Sequence, residues 1–332
     1  MRCADRNGLL RLAIGLTLLA FLWWSAGWWM CRCGGRTTVI KRTEFISPDK
    51  LRAHVQMLAR EIGVRDVFRR QALRRAAEYI EQTWREQGYE VVHQSYETNR
   101  VECANLEVTR RGTTRPGEII LVGAHYDTVD ESPGANDNGS GVAAMLELSR
   151  ALARDSLSRT VRFVAFVNEE PPFFDTKQMG SRVYAEMARQ RGDDIRAMIS
   201  LETIGYYTDR PGSQHYPPFF RWFYPDRGNF IAFVSDLRSR PLLHRAVAGF
   251  RAHTDIPAEC CSTFRQVPGV NWSDHGSFWR EGYRAFMVTD TAPYRYPHYH
   301  TEFDTPDKVN YPALARVTAG LCGVVSLLAK GD

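Results

Sequence analysis

The chain reads as an α/β protein built on a mixed, mainly parallel central sheet with helices on both faces. Three observations predict this. Apolar runs without polar alternation, such as EIILVGAHY (118–126), TVRFVAFVN (160–168) and AMISLETI (197–204), have the pattern of strands buried on both sides. Segments with apolar residues at helical spacing separate them. Polar side chains able to bind ligands follow several of these strands, at the edge where open α/β sheets gather their ligands.

The elements follow in order. Residues 12–31, LAIGLTLLAFLWWSAGWWMC, carry no charge and are long enough to cross a bilayer as a helix. Arg2, Arg6 and Arg11 precede them, as in a signal sequence or signal anchor. We read 1–33 as an N-terminal membrane anchor or signal segment, 34–46 as a polar linker and 47–332 as one domain. Arg32, Arg36, Lys41 and Arg42 follow the apolar run, so basic residues flank both ends and do not set its orientation. An N-terminal apolar segment ordinarily serves export. That places the domain on the periplasmic or extracellular side, anchored or, alternatively, secreted after cleavage near Ser25-Ala26-Gly27.

Ser47-Pro48 starts a helix with Leu51, Val55, Leu58 and Ile62 at helical spacing. A second helix is expected over about 67–87, with Gly88 as its stop. Strands follow at 89–97, 103–110 and 118–126, then a helix from Ser140 carrying Val142, Met145, Ser149 and Leu152 on one face. A strand at 160–168, a helix near 179–191 and a strand at 197–204 continue the alternation. The stretch 205–228, rich in Tyr, Pro, Phe and Gly, reads as an irregular surface loop. Beyond it lie a strand at 230–236, a helix at 241–252, a strand at 285–291 and a closing helix at about 306–329.

The net charge of +5 belongs to the N-terminal region. Outside residues 1–45 the chain has 36 basic and 36 acidic residues, so no excess charge invites nucleic acid. None of the seven cysteines shows a C-x-x-C zinc spacing. Among Cys103, Cys260, Cys261 and Cys322, one disulfide and buried free thiols are both open readings.

The polar clusters at strand ends are His125 and Asp127, then Glu169 and Glu170, then Glu202. His298, His300 and Asp304 come after the last strand, and GANDNGSG (134–141), with its lone carboxylate Asp137, sits between a strand and its helix. Like charges gathered at one edge repel unless cations hold them. Two histidines with three carboxylates form a donor set favoured by borderline divalent metals such as zinc.

At this point the chain resembles the co-catalytic two-zinc aminopeptidases of the leucyl aminopeptidase type, relatives of glutamate carboxypeptidases and glutaminyl cyclases. The matching pieces are HYDTV (125–129), SPGANDNGSG (132–141), NEE (168–170), MGSRVYAE (179–186), SLETIGYY (200–207), SDHGSF (273–278) and YHTEFDT (299–305). The resemblance implies a three-layer zinc exopeptidase sandwich holding two zinc ions, with 47–332 as the catalytic domain of a bacterial-type, membrane-anchored member. It implies that His125 and Glu202 bind one zinc, that Glu170 and His300 bind the other, and that Asp137 bridges both. Glu169 is then the general base acting on a metal-bridged water. Tyr299 is a candidate donor to the developing oxyanion. Behind the ligands, Asp127 would hold the free ring nitrogen of His125, Asp304 would do the same for His300, and Asp274 with His275 would stand near the site. His298 reads as a loop residue. Glu202 departs from the family, in which many relatives carry Asp; the longer side chain reaches a metal from a retracted backbone or through one oxygen.

The function implied is zinc-dependent hydrolysis of N-terminal residues from peptides with a free N-terminus. Two alternatives stand beside it: a single-zinc transferase of the glutaminyl cyclase kind, and a catalytically silent receptor or scaffold. GANDNGSG itself admits a hairpin turn, a glycosylation sequon or a ligand-bearing turn. A helix follows it rather than a strand, which favours the third. The resemblance further implies a non-proline cis peptide after Asp137.

Overall fold

The computed structural model describes residues 17, 24–25, 27–32, 46–98 and 100–331. The apolar run expected to anchor the chain therefore lies largely outside the described residues. Of that run, Gly27 to Cys31 are helical, Trp24 packs against Phe223 at 5.1 Å, and Arg240 lies over Trp29 and donates to its carbonyl at 2.9 Å.

Helix α1 (Pro48–Gln56) starts with Pro48 at its first turn, where a missing N–H costs no intrahelical bond. It buries Leu51 and Val55, continues as a π-helical turn over Met57–Ile62 and stops at Gly63. Helix α2 (Arg70–Glu86) buries Leu73, Ala76, Ile80 and Trp84 as one stripe. Strands β1 (Val92–Thr98), β2 (Val101–Arg110) and β3 (Arg115–His125) lead to α3 (Gly139–Leu152). After these come β4 (Arg159–Phe166), α4 (Gly180–Arg191), β5 (Asp194–Glu202), β6 (Ile231–Asp236) and α5 (Arg240–Arg251). The chain continues through β7 (Ala258–Thr263), α6 (His275–Arg280), β8 (Ala285–Thr289), α7 (Ala292–Arg295) and α8 (Tyr311–Lys330).

All eight strands form one sheet in the order β1-β2-β4-β3-β5-β8-β6-β7. β4, β3, β5 and β8 are mutually parallel, β6 and β7 pair in parallel, and β1, β2 and the β6–β8 contact are antiparallel. The continuous apolar runs end up in the middle of this sheet. Ile120, Val122 and Ala124 of β3 join the core with α1, α2, α3, α5 and α8, while Ile119 and Leu121 face Tyr184 and Ala188 of α4 and Phe278 of α6. Helices thus cover both faces, as expected.

The differences are local. β7, with the sequence AECCST, was not expected, because its alternation of small and polar residues carries no strong strand signal. The last helix starts later than its periodicity suggested. Pro306–Lys308 forms a 3₁₀ turn, and the Asn310 side chain caps α8 by accepting from the Ala313 amide at 3.1 Å. The 205–228 segment is irregular but is more than a surface loop, since Gln214 is buried and its neighbours wall a cavity. Among the described residues α8 is the helix long and apolar enough to span a membrane, yet 78% of that window is buried inside the protein. It is a core helix. Cys103, Cys261 and Cys322 are outside any disulfide and Cys260 is disulfide-bonded, so no two of these four pair with each other.

Candidate metal centre

Because β4, β3, β5 and β8 are parallel, their carboxyl ends share one edge. β3 ends at His125, β4 leads through Val167 and Asn168 to Glu169 and Glu170, and β5 ends at Glu202. Four residues at this edge hold a left-handed backbone: Asn168 (φ 59°), Thr203 (φ 44°), Thr291 (φ 65°) and His300 (φ 58°). Such φ values are uncommon for any L-residue and costly for β-branched threonine, and they concentrate at functional sites. Here they turn the chain sharply beside Glu169, Glu202 and Asp290, and at His300 itself.

The GANDNGSG turn is tied to the same edge by side chains that reach across the sheet. Asn136 donates to Asp290 at 2.9 Å and accepts from the Gly205 amide at 2.8 Å. Asn138 donates to the Leu201 carbonyl at 2.7 Å and accepts from the Thr203 and Gly141 amides. Ser140 donates to the Asn136 carbonyl and accepts from the Ile204 amide. Gly141 leaves room for this: a Cβ there would sit 2.3 Å from the Asn138 side-chain oxygen. Asn138 is fully buried with both ends of its amide engaged, which removes it as a glycan acceptor. A non-proline cis peptide joins Asp137 to Asn138.

Asp137 is thereby held between the two histidines. Its Oδ1 lies 3.3 Å from His125 Nε2 and its Oδ2 lies 3.1 Å from His300 Nε2. Glu202 Oε2 is 3.4 Å from His125 Nε2, and Glu170 Oε2 is 3.4 Å from His300 Nε2. Glu169 stands slightly back, with Oε2 3.9 Å from His125 Nε2. The ligand atoms of His125, Asp137 and Glu202 lie within 4.8 Å of one another, as do those of Asp137, Glu170 and His300; His125, Glu169 and Glu170 make a third, overlapping group. Both Asp137 oxygens, Glu170 Oε1 and Nε2 of both histidines are buried without a hydrogen-bond partner. Buried polar atoms are normally satisfied, and this donor set fits divalent cations such as zinc.

The electrostatics fit the same reading. Burial raises the Glu169 carboxyl well above its ordinary range, and neighbouring Glu202 and Glu170 add to the rise. Burial, with Asp137 beside it, pushes Glu170 up to about 7. Burial opposes a charge on His300, but Asp137 and Glu170 outweigh it and lift the imidazole to about 10. Asp137 goes the other way: burial works against its charge, yet the imidazoles of His125 and His300 facing its two oxygens hold it well below the carboxylate range.

Asp127 faces His125, with its carbonyl 3.2 Å and its carboxylate 3.6 Å from Nδ1. The Asp127 carboxylate also accepts the backbone amides of Glu169 and Glu170, each at 3.1 Å, and so aims both glutamates. Asp304 differs from the expectation. Its oxygens accept the amides of Asn136 and Asp137 at 2.8 and 3.0 Å and the Tyr296 hydroxyl at 2.7 Å. It therefore fixes the Asp137 turn, because two convergent backbone N–H groups bind a carboxylate more readily than the distant ring does. Asp274 is buried at the start of α6, and burial pushes its carboxyl up to about 7. His275 turns away from the cluster: Nε2 meets the Val270 carbonyl at 2.8 Å, its ring stands edge-on to Trp279, and burial lowers its pKa to about 4. Tyr299 stacks on the His300 ring at 3.8 Å and borders a cavity beside Glu202. His298 lies against Tyr296 and Phe303, outside the metal-binding groups.

Two residues escaped the sequence reading. Ser273 donates to Glu202 Oε2 at 2.8 Å; it opens the quoted SDHGSF motif, so a signal existed. Arg65 is fully buried and donates to the carbonyls of Tyr126, Pro133 and Gly134 at 2.7, 2.6 and 3.0 Å, bracketing the loop between His125 and Asp137. Burial lowers its pKa to about 10, with Asp304, Asp127 and Asp137 opposing the loss of charge, so it stays cationic at neutral pH. No local pattern around Arg65 marks this role.

The family model described as peptidase family M28 matches residues 105–325, which contain every residue of this centre. The chain belongs to peptidase family M28. The uncharacterized protein YfbL of Escherichia coli K12 is 37% identical over 291 residues, covering 85% of this chain and 88% of YfbL. The probable leucine aminopeptidase 1 of Trichophyton verrucosum is 26% identical over 232 residues, 65% of this chain; that alignment spans only 56% of the fungal protein. Among solved structures, a zinc aminopeptidase from Bacillus subtilis superposes with a TM-score of 0.70, covering 87% of this chain and 97% of that one. At 15% identity that likeness speaks for the fold alone.

Two measurements probe the scaffold around the centre. Replacing Arg65 by Met leaves the carbonyls of Tyr126, Pro133 and Gly134 buried without their donor and should cost about 3 kcal/mol in urea denaturation; a loss under about 0.5 kcal/mol contradicts the clamp. Asp290, outside the candidate metal-binding groups, is pushed by burial up to about 7, with Arg295 and Asn136 opposing. A carboxyl raised in the folded state contributes stability that is full below its ordinary value of 3.8 and is lost as pH rises through about 7. The Tm of Asp290→Asn relative to the parent should therefore climb between pH 4 and pH 8; a constant difference contradicts the burial argument.

Proposed function

We propose that this chain is a zinc-dependent aminopeptidase that removes N-terminal residues from peptides and uses two zinc ions. The observation that carries the reading is Asp137, whose two unpaired oxygens face His125 on one side and His300 on the other. A carboxylate shared in this way suits a bridging ligand. His125 and Glu202 would complete one site, and Glu170 and His300 the other. Zinc, when bound, supplies Lewis-acid polarisation of the scissile carbonyl and a lowered pKa for water.

The chain's own residues do the rest. Glu169 stands outside both Asp137-sharing groups, so its carboxylate is free to take a proton from the attacking water and pass it to the leaving amine. Its burial favours the protonated form once the proton has been taken. Asp127 keeps Glu169 and Glu170 aimed through their backbone amides, which separates the base from the ligand. Tyr299 is kept in its phenol form by burial and donates to the developing oxyanion. The excess of carboxylates attracts a cationic α-amino group, which accounts for exopeptidase action. Residues 1–33 would anchor or export the catalytic domain, 47–332, to the periplasmic or extracellular side.

Asp137→Ala should lose bound zinc and turnover together, because it removes the only ligand common to both sites. Glu169→Gln should keep its zinc, measured by atomic absorption, while kcat on aminoacyl substrates falls by about a thousandfold or more. Undiminished hydrolysis by Glu169→Gln would defeat the mechanism. One zinc per chain, with cyclisation of N-terminal glutamine and no peptidase activity, would favour the glutaminyl cyclase reading.

A further inference from the structure

The sheet face that α4 and α6 cover over β3, β4 and β5 is covered differently at β7, whose Thr263 donates to the Met30 sulfur of the helical Gly27–Cys31 stretch. There a cavity of about 110 Å³ opens beside Glu202 and Tyr299, roofed by the aromatic part of the 205–228 segment, including Tyr216, Phe220 and Tyr224. Strand register lays out its floor. Glu202 pairs with Thr289, Thr289 with Ala232, and Ala232 with Glu259. Directly paired residues share a face, and Thr289, Ala232 and Glu259 all line the cavity. Strands stand about 4.8 Å apart, so the three steps place Glu259 about 14 Å from Glu202 on the same side. Between the two carboxylates lie only the small side chains of Thr289 and Ala232. The next row, Met287, Val234 and Cys261, is apolar apart from the thiol.

Glu259 is out of place in such a trough. An apolar specificity pocket needs no carboxylate, and burying one without a partner is unfavourable. Among the described residues none makes a hydrogen bond or ion pair to its carboxylate. Arg251, the cation acting on it, donates instead to the Ala258 carbonyl at 2.7 Å. Burial accordingly raises the Glu259 carboxyl above its ordinary value.

We propose that this cavity receives the side chain of the substrate's N-terminal residue and that Glu259 selects a basic one, arginine or lysine. The inference rests on the aminopeptidase reading above. The dimensions agree: with bonds of about 1.5 Å, an extended arginine reaches about 7 Å from its Cα. With its α-amino group at Glu202, it crosses Thr289 and Ala232 and comes within reach of a glutamate leaning inward. Its methylenes lie on the apolar floor and its charged tip meets Glu259, the arrangement that long cationic side chains adopt.

The test uses the zinc-loaded full chain with arginyl, lysyl and leucyl 4-nitroanilides. The parent should show a higher kcat/KM for the arginyl and lysyl substrates than for the leucyl one. In Glu259→Gln, which keeps the size of the side chain, the arginyl-to-leucyl ratio of kcat/KM should fall at least tenfold. Competitive inhibition by free arginine relative to free leucine should weaken in parallel. A ratio unchanged within twofold in Glu259→Gln, or a parent that prefers the leucyl substrate, overturns the assignment to Glu259 while leaving the aminopeptidase reading intact. Absence of turnover on all three substrates overturns both.

Discussion

Asp137, Glu169, Glu170 and Glu202 are buried together beside two imidazoles, and the rest of the structure is organised around keeping those like charges in place. Carboxylates packed this closely inside a protein raise one another's pKa values and push apart. Divalent cations relieve that repulsion most directly. The polypeptide contributes what it can without them. Arg65 brings a buried positive charge, while Asp127 and Asp304 use their carboxylates to grip backbone amides. Arg65 and Asp304 act on turns, whereas Asp127 also meets the His125 ring and Ser273 donates to Glu202 directly, so the donor side chains are aimed mainly by the backbone that carries them.

The parallel part of the sheet makes this aiming possible. Strands that run the same way deliver their carboxyl ends to one edge, and side chains separated by many residues of sequence become neighbours there. The left-handed residues Asn168, Thr203 and His300 then set where each chain segment turns. The strain they carry is tolerated because the strands behind them are among the most deeply buried parts of the chain, with Val122, Phe163 and Leu201 fully enclosed.

The same sheet also makes the specificity region. Where an irregular aromatic segment rather than α4 or α6 roofs the face over β6, a cavity is left next to the candidate metal centre. Its floor is read from strand pairing, so residues far apart in the chain, such as Glu202 and Glu259, become the two ends of one trough.

By itself the sequence determined the periodic elements, the α/β class and which polar side chains stand at strand ends. Those signals are local: apolar runs mark strands, 3.6-residue spacing marks helices, and HYDTV, NEE and SLET place donors at strand ends within a few residues of the apolar pattern. Only the tertiary structure decided how the donors are supported. Arg65 has no pattern of its own, and Asp304 could not be assigned to the Asp137 turn rather than to His300 before the two segments met. β7 and the cavity beside it were equally hidden. AECCST is a weak strand on local propensity and becomes one through pairing with β6, and an irregular aromatic loop becomes a roof only where folding lays it over the sheet. Periodicity is written along the chain, whereas hydrogen-bond partners and cavities exist only between segments that folding has brought together.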